Sequence, residues 1–189
     1  MVRVIMIVGP SGTGKSTYAK TLCEKLNKRG ETCIILSSDA LRAELWGDEN
    51  DQRNPKYIFN VLYQRMYKAL AEGKSVIIDA TNLSASRRKS LVTCIHRTNP
   101  DYHCHCRYLD VPLKVALARN QQRSRVVPEK VIRRQYDQYE VPTEEEGWDY
   151  ISRVCSYSVV YGNKTEYEYI HYTKYKRSTS EMFFNGYYV

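Results

Sequence analysis

Gly9-Pro10-Ser11-Gly12-Thr13-Gly14-Lys15-Ser16 decides the reading of this chain. The apolar run at residues 2–8 leads into it and an amphipathic stretch follows, so a buried strand empties through a glycine-rich turn into a helix. This is the Walker A phosphate-binding pattern, and its spacing has a chemical reason. Glycines let successive backbone N–H groups curl around the β- and γ-phosphates, Lys15 supplies a point charge, and Ser16 supplies a hydroxyl for Mg²⁺. The helix adds the positive end of its dipole to the same anion.

Outward from that loop, helix and strand periods alternate. Helix is expected at residues 16–29, with Ala19, Leu22, Cys23 and Leu26 on one face and Gly30 as its stop, followed by a strand at 32–37. A longer helix is capped by Asn54, has Pro55 at its first position, turns Ile58, Val61, Leu62, Met66, Ala69 and Leu70 inward, and ends at Gly73. Strand at 75–79, helix at 84–97, strand at 102–109 and helices at 112–120 and 128–139 complete the pattern. Strand, helix, strand repeated in this way predicts an α/β fold of the P-loop kinase type, a parallel sheet with helices on both faces and its ligand at the carboxyl ends of the strands. The pattern changes after Asp149, where nine of the 17 tyrosines fall between residues 150 and 189. That composition predicts a last core strand and then a Tyr-rich strand and hairpin extension, with residues 157–161 and 165–172 flanking Gly162-Asn163. Such a tail could stack bases, but an edge hairpin is the favoured reading. The division expected is a kinase domain at 1–154 and an extension at 155–189 packed on it.

The chain has 189 residues, 42% of them hydrophobic and 26% charged, with no apolar run long enough to span a bilayer. The N-terminal apolar run is too short for a signal sequence, so a cytoplasmic location without membrane association is expected. Six cysteines without paired CxxC spacing suit reduced thiols rather than a disulfide scaffold. His103-Cys104-His105-Cys106 invites a metal reading, but on a strand the two histidines face one way and the two cysteines the other, which favours a structural role.

A net charge of +8 favours a polyanionic partner. The basic residues concentrate in two places. Residues 80–100 lack any acid and hold Arg87, Arg88, Lys89 and Arg97, a solvated helix face or a polyanion contact. Residues 119–134 hold Arg119, Arg123, Arg125, Lys130, Arg133 and Arg134 against the single acid Glu129. Arg119 and Arg123, four apart and so expected on one helical face, fit a lid that neutralises a moving phosphoryl group; Arg125 is a weaker candidate.

Asp39 lies where the second strand stops, with Arg42 three residues on. A hydroxyl kinase needs a carboxylate for the acceptor O–H and a cation for the acceptor's own anionic group. An N-cap aspartate with a surface arginine explains the pair as readily. Asp79, ending the third strand, is placed either to hold water on Mg²⁺ or to cap the next turn.

With these residues in hand, the chain resembles the phage-type polynucleotide 5′-hydroxyl kinases over roughly residues 2–149. The resemblance rests on GPSGTGKSTYAKTL, the Asp39-x-x-Arg42 pair, VIIDATNLSASRR, and the lid stretch RNQQRSRVVPEKVI leading to VPTEEEGWD. It implies transfer of the ATP γ-phosphate to the 5′-OH of DNA or RNA. Gly9, Pro10, Ser11, Gly12, Thr13, Gly14, Lys15, Ser16 and Thr17 would hold ATP, with Ser16 on Mg²⁺, Asp39 as general base and Arg42 on the acceptor's neighbouring phosphate. Arg123 would stabilise the phosphoryl with Arg119 in support, and Thr81 and Asn82 would lie on the acceptor side. Ala80 stands where phage-type members can carry an acid, and the acid here, Asp79, is one residue earlier, a departure from the family pattern that counts against a metal-side role for Asp79. Asp-x-Asp phosphatase and Lys-x-Asp-Gly ligase motifs are missing, so a stand-alone kinase is expected, with homo-oligomerisation left open. The rival readings are a P-loop kinase of a small hydroxylated metabolite or of an aminoacyl-tRNA, and a nucleotide-binding module without phosphotransfer.

Overall fold

Strand β1 (Arg3–Val8) is buried on both faces: Val4, Met6 and Val8 enter one core layer, and Ile5 and Ile7 enter another. A strand covered twice belongs inside a parallel sheet. The computed structural model describes residues 1–155 in full and the backbone of the strands at 157–161, 164–168 and 171–176. In it β1 lies between β3 (Ser75–Asp79) and β4 (His103–Leu109), with β2 (Cys33–Ser37) beyond β3 and β5 (Tyr150–Val154) beyond β4, all parallel. β6 (Tyr157–Tyr161) and β7 (Lys164–Glu168) form an antiparallel pair, and β8 (His171–Lys176) adds to β5 in the antiparallel sense. The expected hairpin partner at 165–172 is thus divided: its first part pairs with β6 and its last residues belong to the strand on β5. The turn expected at Gly162-Asn163 lies outside the described residues.

The helices that position the site are α1 (Lys15–Lys28), α2 (Ser38–Trp46), α3 (Pro55–Ala71), α4 (Ala85–Thr98), α5 (Leu113–Gln121) and α6 (Glu129–Asp137). In α3, Asn54 accepts from the Tyr57 N–H, Pro55 opens the helix, and Ile58, Leu62, Met66, Ala69 and Leu70 are buried, all as the sequence predicts. Helix α2 is expected only in the reading that makes Asp39 an N-cap, and its cap is Ser37 instead. Ser37 ends β2 and at once caps α2 by accepting from the Ala40 N–H, so no turn separates strand from helix. Residues 103–106 alternate as predicted: Cys104 and Cys106 enter the core, where burial pushes both thiols up, while His103 and His105 stack edge to face on the other side. Among the described residues, Cys104 comes together with His96 and Asp149 instead, and Asp149 accepts from the Cys104 N–H and contacts His96 Nε2 at 2.8 Å.

Arg88 corrects the reading of the first basic cluster. It is 1% exposed and faces neither solvent nor a polyanion. Its Nε and Nη2 form a two-pronged pair with Glu146, both at 2.7 Å, Nη1 donates to the carbonyls of Asn82 and Leu83, and Nη2 also donates to the Glu140 carbonyl. These five bonds use every N–H the guanidinium has. Glu146 lies in a short 3₁₀ turn, Glu144–Glu146, and also takes the indole N–H of Trp148. Truncating one partner leaves a buried charge unpaired, so Arg88→Ala is expected to lower unfolding free energy by about 3–5 kcal/mol in urea denaturation. Loss of less than about 1 kcal/mol would show that this pair is not what holds the segment.

Candidate active site

The loop at residues 9–14 leaves the carboxyl end of β1 and enters α1, as its sequence predicts. Gly14 caps α1 with φ 94°, and Gly12 has φ 83°. A Cβ on Gly12 would stand 2.3 Å from the carbonyl oxygen of Ala116, so α5 packs its backbone directly on the phosphate loop there. Inside the loop, Thr13 Oγ1 donates to the Pro10 carbonyl at 2.9 Å and Lys15 Nζ donates to the same oxygen at 2.7 Å. Ser16 and Thr17 are exposed at the start of α1.

Lys15 reports what surrounds the loop. Burial pulls its ammonium down to about 8, the carboxylates of Asp79 and then Asp39 act to raise it, and Arg123 pushes it down again. Four residues from four different parts of the chain therefore share one electrostatic neighbourhood. Asp79 reaches it because β3 pairs with β1 in a register that sets Ile7 beside Asp79. Thr81 and Asn82 follow on the same edge: the Thr81 carbonyl accepts from the Gly9 N–H at 3.0 Å, and Asn82, at φ 50°, donates Nδ2 to the Ile7 carbonyl at 2.8 Å. Both brace the phosphate loop, a role the sequence did not suggest.

Asp39 sits in the first turn of α2. Its Oδ1 takes Arg42 Nη1 and its Oδ2 takes Arg125 Nη1, each at 2.9 Å. Arg42 is buried rather than on the helix surface, and its Nε has no hydrogen-bond partner among the described residues. Arg125 also donates Nε to Asn50 Oδ1 and reaches Glu49, fastening the lid to the segment after α2. The lid arginines divide differently from the helical spacing. Helix α5 ends at Gln121, so Arg119 and Arg123 do not share a helical face: Arg119 Nη1 donates to the Thr13 carbonyl, and exposed Arg123 stands in the turn that follows. Asn120, 3% exposed, clamps this turn by donating Nδ2 to the Val127 carbonyl while its Oδ1 accepts from the Val127 N–H. Gln135 of α6 was not foreseen either; its Oε1 accepts from the Ser11 N–H at 2.7 Å. A glutamine on a strongly polar helix carries no signal of that contact in the sequence.

A phosphate loop on the carboxyl edge of a parallel sheet, with the Asp39–Arg42 pair and the basic segment around Arg119 and Arg125 beside it, defines the P-loop kinase-like α/β fold. Residues 4–142 match the AAA_33 family, described as an AAA domain, and the chain belongs to that family. It is similar to the L-seryl-tRNA(Sec) kinase of Methanococcus maripaludis (28% identity over 148 residues, 77% of this chain and 56% of that protein). It is also similar to a putative bifunctional polynucleotide kinase/RNA ligase of Autographa californica nuclear polyhedrosis virus (28% over 145 residues, 72% of this chain and 21% of that protein). The chain thus spans little more than half the length of one relative and about a fifth of the other. A solved structure of the Pnkp1/Rnl/Hen1 RNA repair complex superimposes with a TM-score of 0.59 at 22% identity, over 72% of this chain and 43% of that one, and shares the fold. Among the described residues no helix is long and apolar enough to cross a membrane.

A bound phosphate favours the charged lysine, so nucleotide binding must take up a proton wherever the free site has lost it. Affinity for a nucleoside triphosphate is expected to fall about tenfold per pH unit between pH ~8 and ~10. Isothermal titration in buffers of different ionisation heat checks this; no proton uptake at pH 9 would contradict it. The sign for stability is opposite. Unfolded Lys15 keeps its proton up to about 10.5 while the folded residue releases it near 8, so the unliganded fold gains stability as pH rises through that window.

Proposed function

We propose that this chain is an ATP-dependent kinase of nucleic-acid 5′-hydroxyl ends. The observation that carries the reading is the Asp39–Arg42 pair: a carboxylate half exposed beside the phosphate loop, backed by a buried guanidinium whose Nε has no hydrogen-bond partner among the described residues. A buried donor without an acceptor is costly unless a ligand supplies one, and an anionic group next to the acceptor hydroxyl does so. In the reaction the acceptor oxygen bonds to the γ-phosphorus as the bond to the β-phosphate oxygen breaks, and the hydroxyl proton passes to Asp39. ADP leaves. Lys15, Arg119 and Arg123 offset charge on the moving group, while the backbone of residues 9–17 cradles the phosphates. Ser16 and Asp79 are oxygen donors of the kind Mg²⁺ prefers, and the ion, when bound, would neutralise charge between the β- and γ-phosphates. Arg125 must release Asp39 Oδ2 before a hydroxyl can approach that oxygen.

Similarity to the seryl-tRNA(Sec) kinase supports a second reading, phosphorylation of an aminoacyl-tRNA hydroxyl by the same machinery. Incubation with labelled ATP and Mg²⁺ alongside 5′-hydroxyl DNA, 5′-hydroxyl RNA and seryl-tRNA separates the two. Label on an oligonucleotide end supports the first; label on seryl-tRNA alone overturns it. A polynucleotide acceptor held through several phosphates should also lose affinity steeply as salt rises.

Asp39→Ala is expected to abolish transfer and leave ATP affinity nearly unchanged; near-normal turnover would remove Asp39 from the role of base. Arg123→Ala should slow transfer on the order of 10³-fold, as for other arginines that meet the transition state. A defect in ATP affinity alone would assign Arg123 to ground-state binding, as a kcat and KM comparison would reveal.

A further inference from the structure

A groove of about 1020 Å³ opens between α3 and α4, with Thr81–Ser84 among the residues at its base. It begins beside the phosphate loop, since the Thr81 carbonyl accepts from the Gly9 N–H. The α3 wall presents Phe59, Tyr63 and Tyr67, spaced by four and therefore stacked along one helical face, each half-buried. The α4 wall presents Ser86, Ser90 and Cys94 at the same spacing, so small side chains stand opposite rings and leave a slot. Exposed Lys56 and Arg87 also line it, and none of the described lining residues is acidic. Burial pushes the Tyr63 phenol up while the Arg87 guanidinium acts to lower it, so that cation lies near Tyr63.

Flat rings in file with cations at the rim suit a strand of bases linked by phosphates. Stacking on aromatics accepts any base, and the rim charges follow the backbone. The volume is at the upper end of the roughly 300–1,000 Å³ typical of small-molecule sites, more than a small hydroxylated metabolite needs. We propose that this groove is a track for single-stranded nucleic acid, holding the nucleotides next to the end whose hydroxyl reaches Asp39. The proposal rests on the reading of the chain as a kinase of nucleic-acid ends and adds where the acceptor strand runs.

The test is fluorescence anisotropy of a 3′-labelled, 5′-hydroxyl oligonucleotide without ATP, compared across the wild type, Ser90→Leu, Tyr63→Leu and Arg87→Glu. Ser90→Leu fills the slot from an exposed helix position, and Thr93→Leu, exposed on the same helix but outside the groove, is its control. The expected result is binding weakened about tenfold or more by Ser90→Leu and by Arg87→Glu and unchanged by Thr93→Leu, with unfolding midpoints close to the wild type. Equal affinity in Ser90→Leu and Thr93→Leu overturns the track, as does an oligonucleotide that does not bind the wild type. Transfer assays on the same proteins keep the two ideas apart. Oligonucleotide binding that depends on the groove, without phosphorylation of any nucleic-acid end, refutes the kinase assignment and keeps the track. Phosphorylated ends with groove-independent binding do the reverse.

Discussion

The buried pair of Arg88 and Glu146 is the constraint on which the catalytic edge depends. A guanidinium out of water is tolerated only when its charge and all its N–H groups are met, and here they are met by groups from two separate stretches, residues 82–83 and 140–146. Fixing the carbonyls of Asn82 and Leu83 fixes Thr81 and Asn82 beside them, and those two in turn hold the start of the phosphate loop. The strength of the arrangement is its specificity: an arginine so fully used leaves the loop after β3 one conformation to adopt.

Around Lys15 the same low-dielectric setting works in the opposite direction. Its ammonium is held short of full compensation, with two carboxylates acting to raise it and an arginine opposing them. The lid pair between Arg125 and Asp39 is of another kind. Asp39 is 46% exposed there, and an ion pair so open to solvent contributes little, so breaking it costs little. The tightly held parts of the site brace the phosphate loop, and the weakly held one is the pair between Asp39 and Arg125.

What the chain revealed in advance follows from how local each signal was. The phosphate loop and α3 were legible because cap, first-position proline, apolar period and glycine stop lie within one short stretch. Helix α2 was not, because Ser37 serves both as the last residue of a strand and as a cap, and no turn residues mark the change. Arg88 read as surface charge because its partner lies 58 residues away, beyond any pattern in a window. Arg123 was placed by a helical spacing that stops applying once α5 ends at Gln121. Gln135 and the aromatic row of α3 acquire meaning only from what the fold sets opposite them.

The antiparallel addition of β8 to β5 has a consequence for how the polypeptide behaves when shortened. A parallel sheet bounded by β5 would present a row of unused backbone N–H and C=O groups, a template on which another chain can extend the sheet. Strand β8 covers that row. Trimming the protein at Val154 on the supposition that the phosphotransfer unit stops there would uncover that margin of β5 and invite self-association, so β8 serves as a hem for it.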